Sequence, residues 1–237
     1  RLIRVNNETL LEWRSIAGRS LPVEQVPLLH LVTTSEFSAV RAIASYGIPV
    51  GSSISKIGSG LHEAAAKKEG LIRWESSEPS SIGDLILQGA HIAPASSFAQ
   101  QPNIPFKHPK DWSSVNLNGI DENFIPSVNY VRNVSFEEYR DRQESWGEGK
   151  YTDYYRVAWR VMIPFDTEKS LFAALVPPGP SHVHNVQSMW NGSNVLTVLN
   201  SGFWSSLPID YLVRVTGRSH FCLLYTSDAA DDSLRVD

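Results

Sequence analysis

The chain has 237 residues, 42% of them hydrophobic, with seven Trp and with 21 Lys plus Arg against 25 Asp plus Glu, a formal net charge of −4. Its last stretch, "CLLYTSDAADDSLRVD", holds four Asp against one Arg, so −3 of that charge lies there and the remainder is nearly neutral. A global basic field that would announce a nucleic-acid partner is thereby excluded. No apolar run of about eighteen residues occurs, so no membrane span is expected. The only cysteine, Cys222, falls in the same last stretch. Disulfide staples and cysteine-based metal sites or nucleophiles are therefore excluded before it, which fits a cytoplasmic protein.

"NNETLLEWRSIAG" predicts a helix: Asn6 or Asn7 can cap it, Leu10, Leu11 and Trp13 give an apolar stripe, and Gly18 stops it. After the Pro-punctuated "LPVEQVPLL" comes "TTSEFSAVRAIASYG", in which Thr33 and Glu36 have capping-box spacing and Gly47 is the expected left-handed stop. A third short helix, "LHEAAAKKEG", ends at Gly70 and feeds a strand, "LIRWE". From Ser76 to about Asn133 the chain is dense in Ser, Pro, Asn and Gly, with short apolar runs such as "DLILQGAHI", which predicts loops joining short strands. "SFEEYRDRQESWGEG" predicts one solvated helix, with Ser135 and Glu138 as its capping box.

The strongest strand pattern is "YYRVAWRVMIP". Alternation puts Tyr155, Val157, Trp159, Val161 and Ile163 on one face and Arg156, Ala158, Arg160 and Met162 on the other. "SLFAALVPPG" predicts a second strand buried on both faces, left through Pro177-Pro178, and "HVHNVQSMW" a third. "NVLTVLNSGFWSSLPIDYLVRVTG" predicts a long apolar helix, interrupted near Pro208 and closed by Gly217.

Arg156 and Arg160 form a ridge on the polar face of their strand, and guanidinium is the side chain best shaped for bidentate contacts with phosphate or guanine. The plainer reading pairs them with acidic neighbours such as Glu137 or Asp153. His182-x-His184 would place two imidazoles on one strand face, as two metal ligands need. With no Cys and no acidic pair at telling spacing, surface or hydrogen-bonding histidines are the preferred reading, and no metal is assigned. His91, in "QGAHI", is a core histidine or a contact residue. Gly58-x-Gly60 is too short for a cofactor loop, since no strand leads into it and no long helix follows. Pro177-Pro178 is flanked by Val176 and Gly179, so it lacks the amide before and the aromatic after that a base-gripping Asn-Pro-Pro-Tyr loop requires.

Several segments taken together resemble one family in its own order. They are "VPLLHLVTTSEFSAVRAIASY", "LHEAAAKKEGLIRWESSEPSSIGDLILQGAHI", "FIPSVNYVR", "TDYYRVAWRVMIPFDTEKSLFAALVPPGPSHVHNV" and "LTVLNSGFWSSLPIDYLVRVTGRSHF". They are similar to the region after the catalytic core of large restriction–modification DNA adenine-N6 methyltransferases, the type IIG-like enzymes and their phage-defence relatives. The resemblance implies a prokaryotic target-recognition region that binds double-stranded DNA beside a catalytic domain lying before Arg1. S-adenosylmethionine would be held by that domain, and no cofactor or catalytic residue is expected here. The matching positions are Gly89, His91, Arg156, Arg160, Pro177, Pro178 and His182. With His184, and with Arg132 closing "FIPSVNYVR", the candidate DNA-binding set is Arg156, Arg160, His182, His184, His91 and Arg132. The family's Gly-Pro-His is Gly89-Ala90-His91 here.

The expected class is α+β: a helical connector over 1–75, then a loop-rich mixed β region over 76–221 with a long C-terminal helix. Residues 222–237 are expected to be foreign, because Cys222–Asp231 resemble a translated DNA-library adapter. A scaffold or interaction domain that reads no bases is the alternative function, and a metal hydrolase using His182 and His184 is a third.

Overall fold

The computed structural model describes residues 4–17, 21–45, 54–162 and 166–217. The expected stops at Gly18 and Gly47 and the whole of 222–237 lie outside these residues. The described chain is α+β. Its helical start is set by local capping. Helix α1 (Asn7–Ala17) is capped by Asn6, whose Oδ1 accepts from Thr9 N at 2.9 Å. Helix α2 (Thr34–Ser45) opens with the full reciprocal box: Thr33 Oγ1 accepts from Glu36 N at 3.2 Å, and Glu36 Oε2 accepts from Thr33 N at 2.7 Å. These donations hold the Glu36 carboxyl below its usual range, the backbone N–H groups of Val32 and Thr33 acting most strongly. Trp13, Val26, Leu29 and Val40 close the core between the two helices, and Val215 from near the C-terminal end joins them.

Strand β1 (Lys56–Gly58) and helix α3 (Glu63–Lys68) follow, then β2 (Ile72–Ser77), β3 (Ile86–Leu87), β4 (Gln100–Pro102), β5 (Trp112–Ser114) and β6 (Val128–Arg132). β2 pairs antiparallel with β6, and β4 with β5. Helix α4 covers only Phe136–Asp141, capped by Ser135. This corrects the single helix expected over "SFEEYRDRQESWGEG". After Arg142 the chain forms a hairpin, β7 (Ser145–Trp146) with β8 (Gly149–Lys150), turning through Gly147 at φ +69° and burying Trp146 completely.

Strands β9 (Arg156–Arg160), β10 (Ala173–Val176) and β12 (Val186–Trp190) join β1 in an antiparallel sheet of order β1-β12-β9-β10, which takes in Lys56–Gly58 from the N-terminal side of position 75. Between β10 and β12, β11 (Ser181–His182) pairs parallel with β3. The expected strand "HVHNVQSMW" is therefore two strands with a turn between them. Helices α5 (Asn194–Trp204) and α6 (Leu207–Val215) replace the one long helix expected, separating at Ser205-Ser206, with Pro208 in the first turn of α6 where its missing N–H costs nothing. Gly217 closes α6 at φ +66°.

Both faces of the four-stranded sheet are covered. Val157, Trp159, Ala173 and Met189 pack with Trp204 and Val213 of the helical layer. Ala158, Ala174, Val176 and Val186 pack on the other side with Leu85, Leu87, Ile92 and Val128. Buried Asp210 ties α6 to the sheet, its Oδ1 accepting from Ser170 N and Leu171 N at 2.7 Å each. Burial of both faces decides the fate of the expected site.

Candidate nucleic-acid interface

With both sheet faces dry, the alternate positions 156 and 160 on β9 point into protein, and the arginine ridge expected to face solvent does not exist. Arg156 is fully buried. Its Nε donates to Tyr154 O at 3.2 Å, its Nη2 to Pro180 O at 2.5 Å, and its guanidinium lies 4.9 Å from the Tyr151 ring. Arg160 donates from Nε to Ile92 O at 2.6 Å and from Nη2 to Ala90 O at 3.3 Å, with Phe172 4.4 Å away. Burial brings both guanidinium pKa values down to about 10, leaving them charged at neutral pH. Both guanidinium groups donate to backbone carbonyls rather than to the suggested carboxylates. Asp153 instead takes Arg140 in a two-pronged pair, one contact being 2.8 Å. Each arginine clamps loops onto the sheet: Arg160 holds the 89–92 turn, and Arg156 the chain after Pro177-Pro178.

The histidines divide. His91 is fully buried, its Nδ1 accepting from Gln88 N at 2.9 Å while Nε2 faces Ser127 O at 3.1 Å. This fixes the neutral tautomer with the proton on Nε2. Burial, aided by the nearby Arg160 charge and opposed by the two backbone contacts, pulls its pKa down to about 4. His182 is also buried, with Nε2 2.8 Å from Ser188 Oγ, and burial followed by the Arg156 charge takes its pKa down to about 3. His184 is exposed past the end of β11 and stacks on His62, ring centroids 4.9 Å apart. The pair His182-x-His184 therefore straddles core and surface, which removes the shared face a two-histidine metal site needs. Among the described residues no group of three or more His, Cys, Asp or Glu is placed to hold a metal ion.

Arg132 is half-buried, paired with Asp84 through Nη2 and through Nε at 3.1 Å, and lies 5.4 Å from the Phe136 ring. Burial would raise the Asp84 carboxyl, but the hydrogen bonds from Arg132 and Ser81 outweigh it and hold the group below the usual range. Of the expected DNA contacts, then, His184 alone presents an exposed side chain. Arg156, Arg160, His91, His182 and Arg132 serve the fold; Arg156, His91 and His182 do so from burial too deep for a duplex to reach, while Arg160 and Arg132 are half-buried.

Gly58 and Gly60 are likewise explained by packing. A Cβ at Gly58 would meet Glu144 and, at 3.1 Å, Trp146, while one at Gly60, where φ is +63°, would strike the carbonyl and ring of His182. No room is left there for a nucleotide cofactor, so S-adenosylmethionine does not fit these glycines.

A different surface carries three exposed basic side chains close together in sequence. The β4–β5 hairpin ends in residues 103–111, pinned by Asp111, which accepts from Asn103 Nδ2 at 2.7 Å and from Lys107 N at 2.9 Å. These hydrogen bonds, Asn103's first, hold the Asp111 carboxyl below its usual range and turn it toward its own loop. Lys107, His108 and Lys110 remain exposed around it. Beside the tip runs an edge-to-face aromatic row: Trp74 lies 5.3 Å from Phe106, Phe106 6.1 Å from Trp112, and Trp112 4.8 Å from His91. Trp74 is 48% exposed, and its neighbour Glu75 is occupied by Arg73 at 2.6 Å. Cations beside an accessible indole supply what a polynucleotide needs, attraction for phosphate and a plane for a base. The signal in the sequence was "FKHPKDW", three basic groups around one proline.

No family model matches the chain, and no curated protein matches it. Among the described residues no helix is long and apolar enough to cross a membrane.

Proposed function

We propose that this chain contributes DNA target recognition to an adenine-N6 methyltransferase of a restriction–modification or phage-defence system, and performs no catalysis itself. The observation that supports this reading is the hairpin tip, where Lys107, His108 and Lys110 stand exposed beside the half-exposed Trp74. Phosphate contacts of this type fix register on a duplex, and readout of base edges is added by neighbouring loops. On this reading the duplex meets the hairpin side, and the reacting groups with S-adenosylmethionine belong to another part of the same cytoplasmic polypeptide. A flipped adenine would be delivered there.

The test is duplex binding followed by fluorescence anisotropy at low salt. Lys107→Glu together with Lys110→Glu should weaken binding by at least about tenfold and flatten the salt dependence by about two counterions. Binding indifferent to that pair of changes, or no binding at all, would remove the reading. One observation favours the second reading, an interaction domain that reads no bases: the outward face of α5 is apolar. That reading predicts protein association without any affinity for DNA.

A further inference from the structure

Helix α5 is amphipathic in the reverse sense. Its inward positions are Thr197, Ser201 and Trp204, whereas Val195, Leu196, Val198, Leu199 and Phe203 face outward, exposed at 70, 48, 48, 65 and 48%. Leu207, opening α6, is 70% exposed beside them in sequence. A surface helix ordinarily turns its apolar stripe to the core. This one cannot roll to do so, because its inner side is fastened. Thr197 Oγ1 donates to Ser193 O at 2.8 Å and accepts from Asn191 N at 3.3 Å, and Trp204 lies against Trp159 with ring centroids 4.9 Å apart.

We infer that two copies of this chain associate through their α5 helices, crossing antiparallel about a two-fold axis near Leu199. Charge favours a second copy as the occupant. About a two-fold axis residue i meets residue j while j meets i, so a face bearing charge of a single sign would repel its copy. "NVLTVLNSGFW" contains no charged residue, and its face can meet its copy without that penalty. The spacing suits a helix partner too: Val195, Val198, Leu199, Gly202 and Phe203 fall at i, i+3, i+4, i+7 and i+8, the seam of a packed helix pair. Above Gly202 there is open space, with nothing within 4 Å of where a Cβ would stand, so the partner's backbone can approach closely there. Antiparallel crossing also opposes the two helix dipoles. The exposed fractions of these residues, Leu207 included, correspond to a surface on the order of 600 Å², at the upper end for the largest patch of a monomer. It also supplies most of the roughly 800 Å² that one partner gives to a standard interface.

The proposal goes beyond DNA recognition and is tested without DNA. Sedimentation velocity of the full chain across the micromolar range, under reducing conditions so that Cys222 forms no cross-link, should give the mass of a dimer. Leu199→Glu should weaken self-association by at least about a hundredfold, with an unchanged helical circular dichroism signal. Should that variant fail to fold, Val195→Lys, at a more exposed position, carries the same expectation. A chain that stays monomeric, forms open-ended assemblies, or dimerises equally well with a charge on α5 would overturn the proposal.

Discussion

Acidifying the protein from pH 7 to pH 5 should cost it roughly 3–4 kcal/mol of stability, and two buried histidines set that figure. The folded pKa values of His91 and His182 are lowered to about 4 and about 3, against an ordinary value near 6.5. Between those limits the unfolded chain binds protons that the folded one refuses. The stability they contribute is thus fully present above about pH 6.5 and is lost as pH falls toward the folded values. At pH 5 the linkage relation gives about 2 kcal/mol for each histidine, nearly all of it lost between pH 7 and 5. Asp84, Asp111 and Asp153, whose carboxyls are held below their usual range, lose their contribution only at lower pH, so they leave this window nearly untouched. Urea unfolding at pH 7, 6 and 5 measures the effect, and His91→Gln should remove about half of the pH dependence whatever it does to absolute stability. A free energy flat to within about 0.5 kcal/mol over this range would show that these imidazoles titrate normally, and the burial argument would fail.

The clamping role of Arg156 predicts that Arg156→Ala, which leaves Tyr154 O and Pro180 O without their donor and opens a cavity, costs about 3–5 kcal/mol in urea unfolding. Arg156→Lys keeps the charge but cannot reach both carbonyls, so it should still cost about 2 kcal/mol. A loss below about 1 kcal/mol for the alanine variant would contradict the clamp. Gly60→Ala combines a left-handed backbone at φ +63° with a collision against His182, and should cost more than about 2 kcal/mol, read as a lowered thermal midpoint.

The parts of this fold that could be read from sequence are those fixed by neighbours in the chain. Asn6, the Thr33–Glu36 box and Ser135 each cap a helix within three residues, and Gly217 ends one by its own conformational freedom. Alternation also located β9, but it could not say which face was wet. An arginine at every fourth position looks like a solvent ridge when one face of a sheet is open. Here both faces are covered, and the acceptors that make buried guanidinium tolerable are backbone oxygens of residues 90, 92, 154 and 180, which leave no mark in side-chain identity. Nothing in "HVHNV" announces the turn before β12, so the sequence alone puts His182 and His184 on one strand. "QESWGEG" does carry a hairpin signal against a helix, since Gly147 and Gly149 flank the single residue Glu148 at the turn between β7 and β8. The outward face of α5 was invisible for a different reason: "VLTVL" reads as core, and sequence does not say whose core it joins.

On the proposed function a duplex is met by the exposed hairpin tip and not by Arg156, which is fully buried. The most direct measurement is the salt dependence of duplex affinity for three proteins: the unaltered chain, the Lys107→Glu/Lys110→Glu variant and Arg156→Lys, each shown by circular dichroism to be folded. The account predicts a slope reduced by about two in the hairpin variant and unchanged in Arg156→Lys. A slope that falls with the change at Arg156 while ignoring the hairpin, or duplex affinity absent from all three, would contradict it.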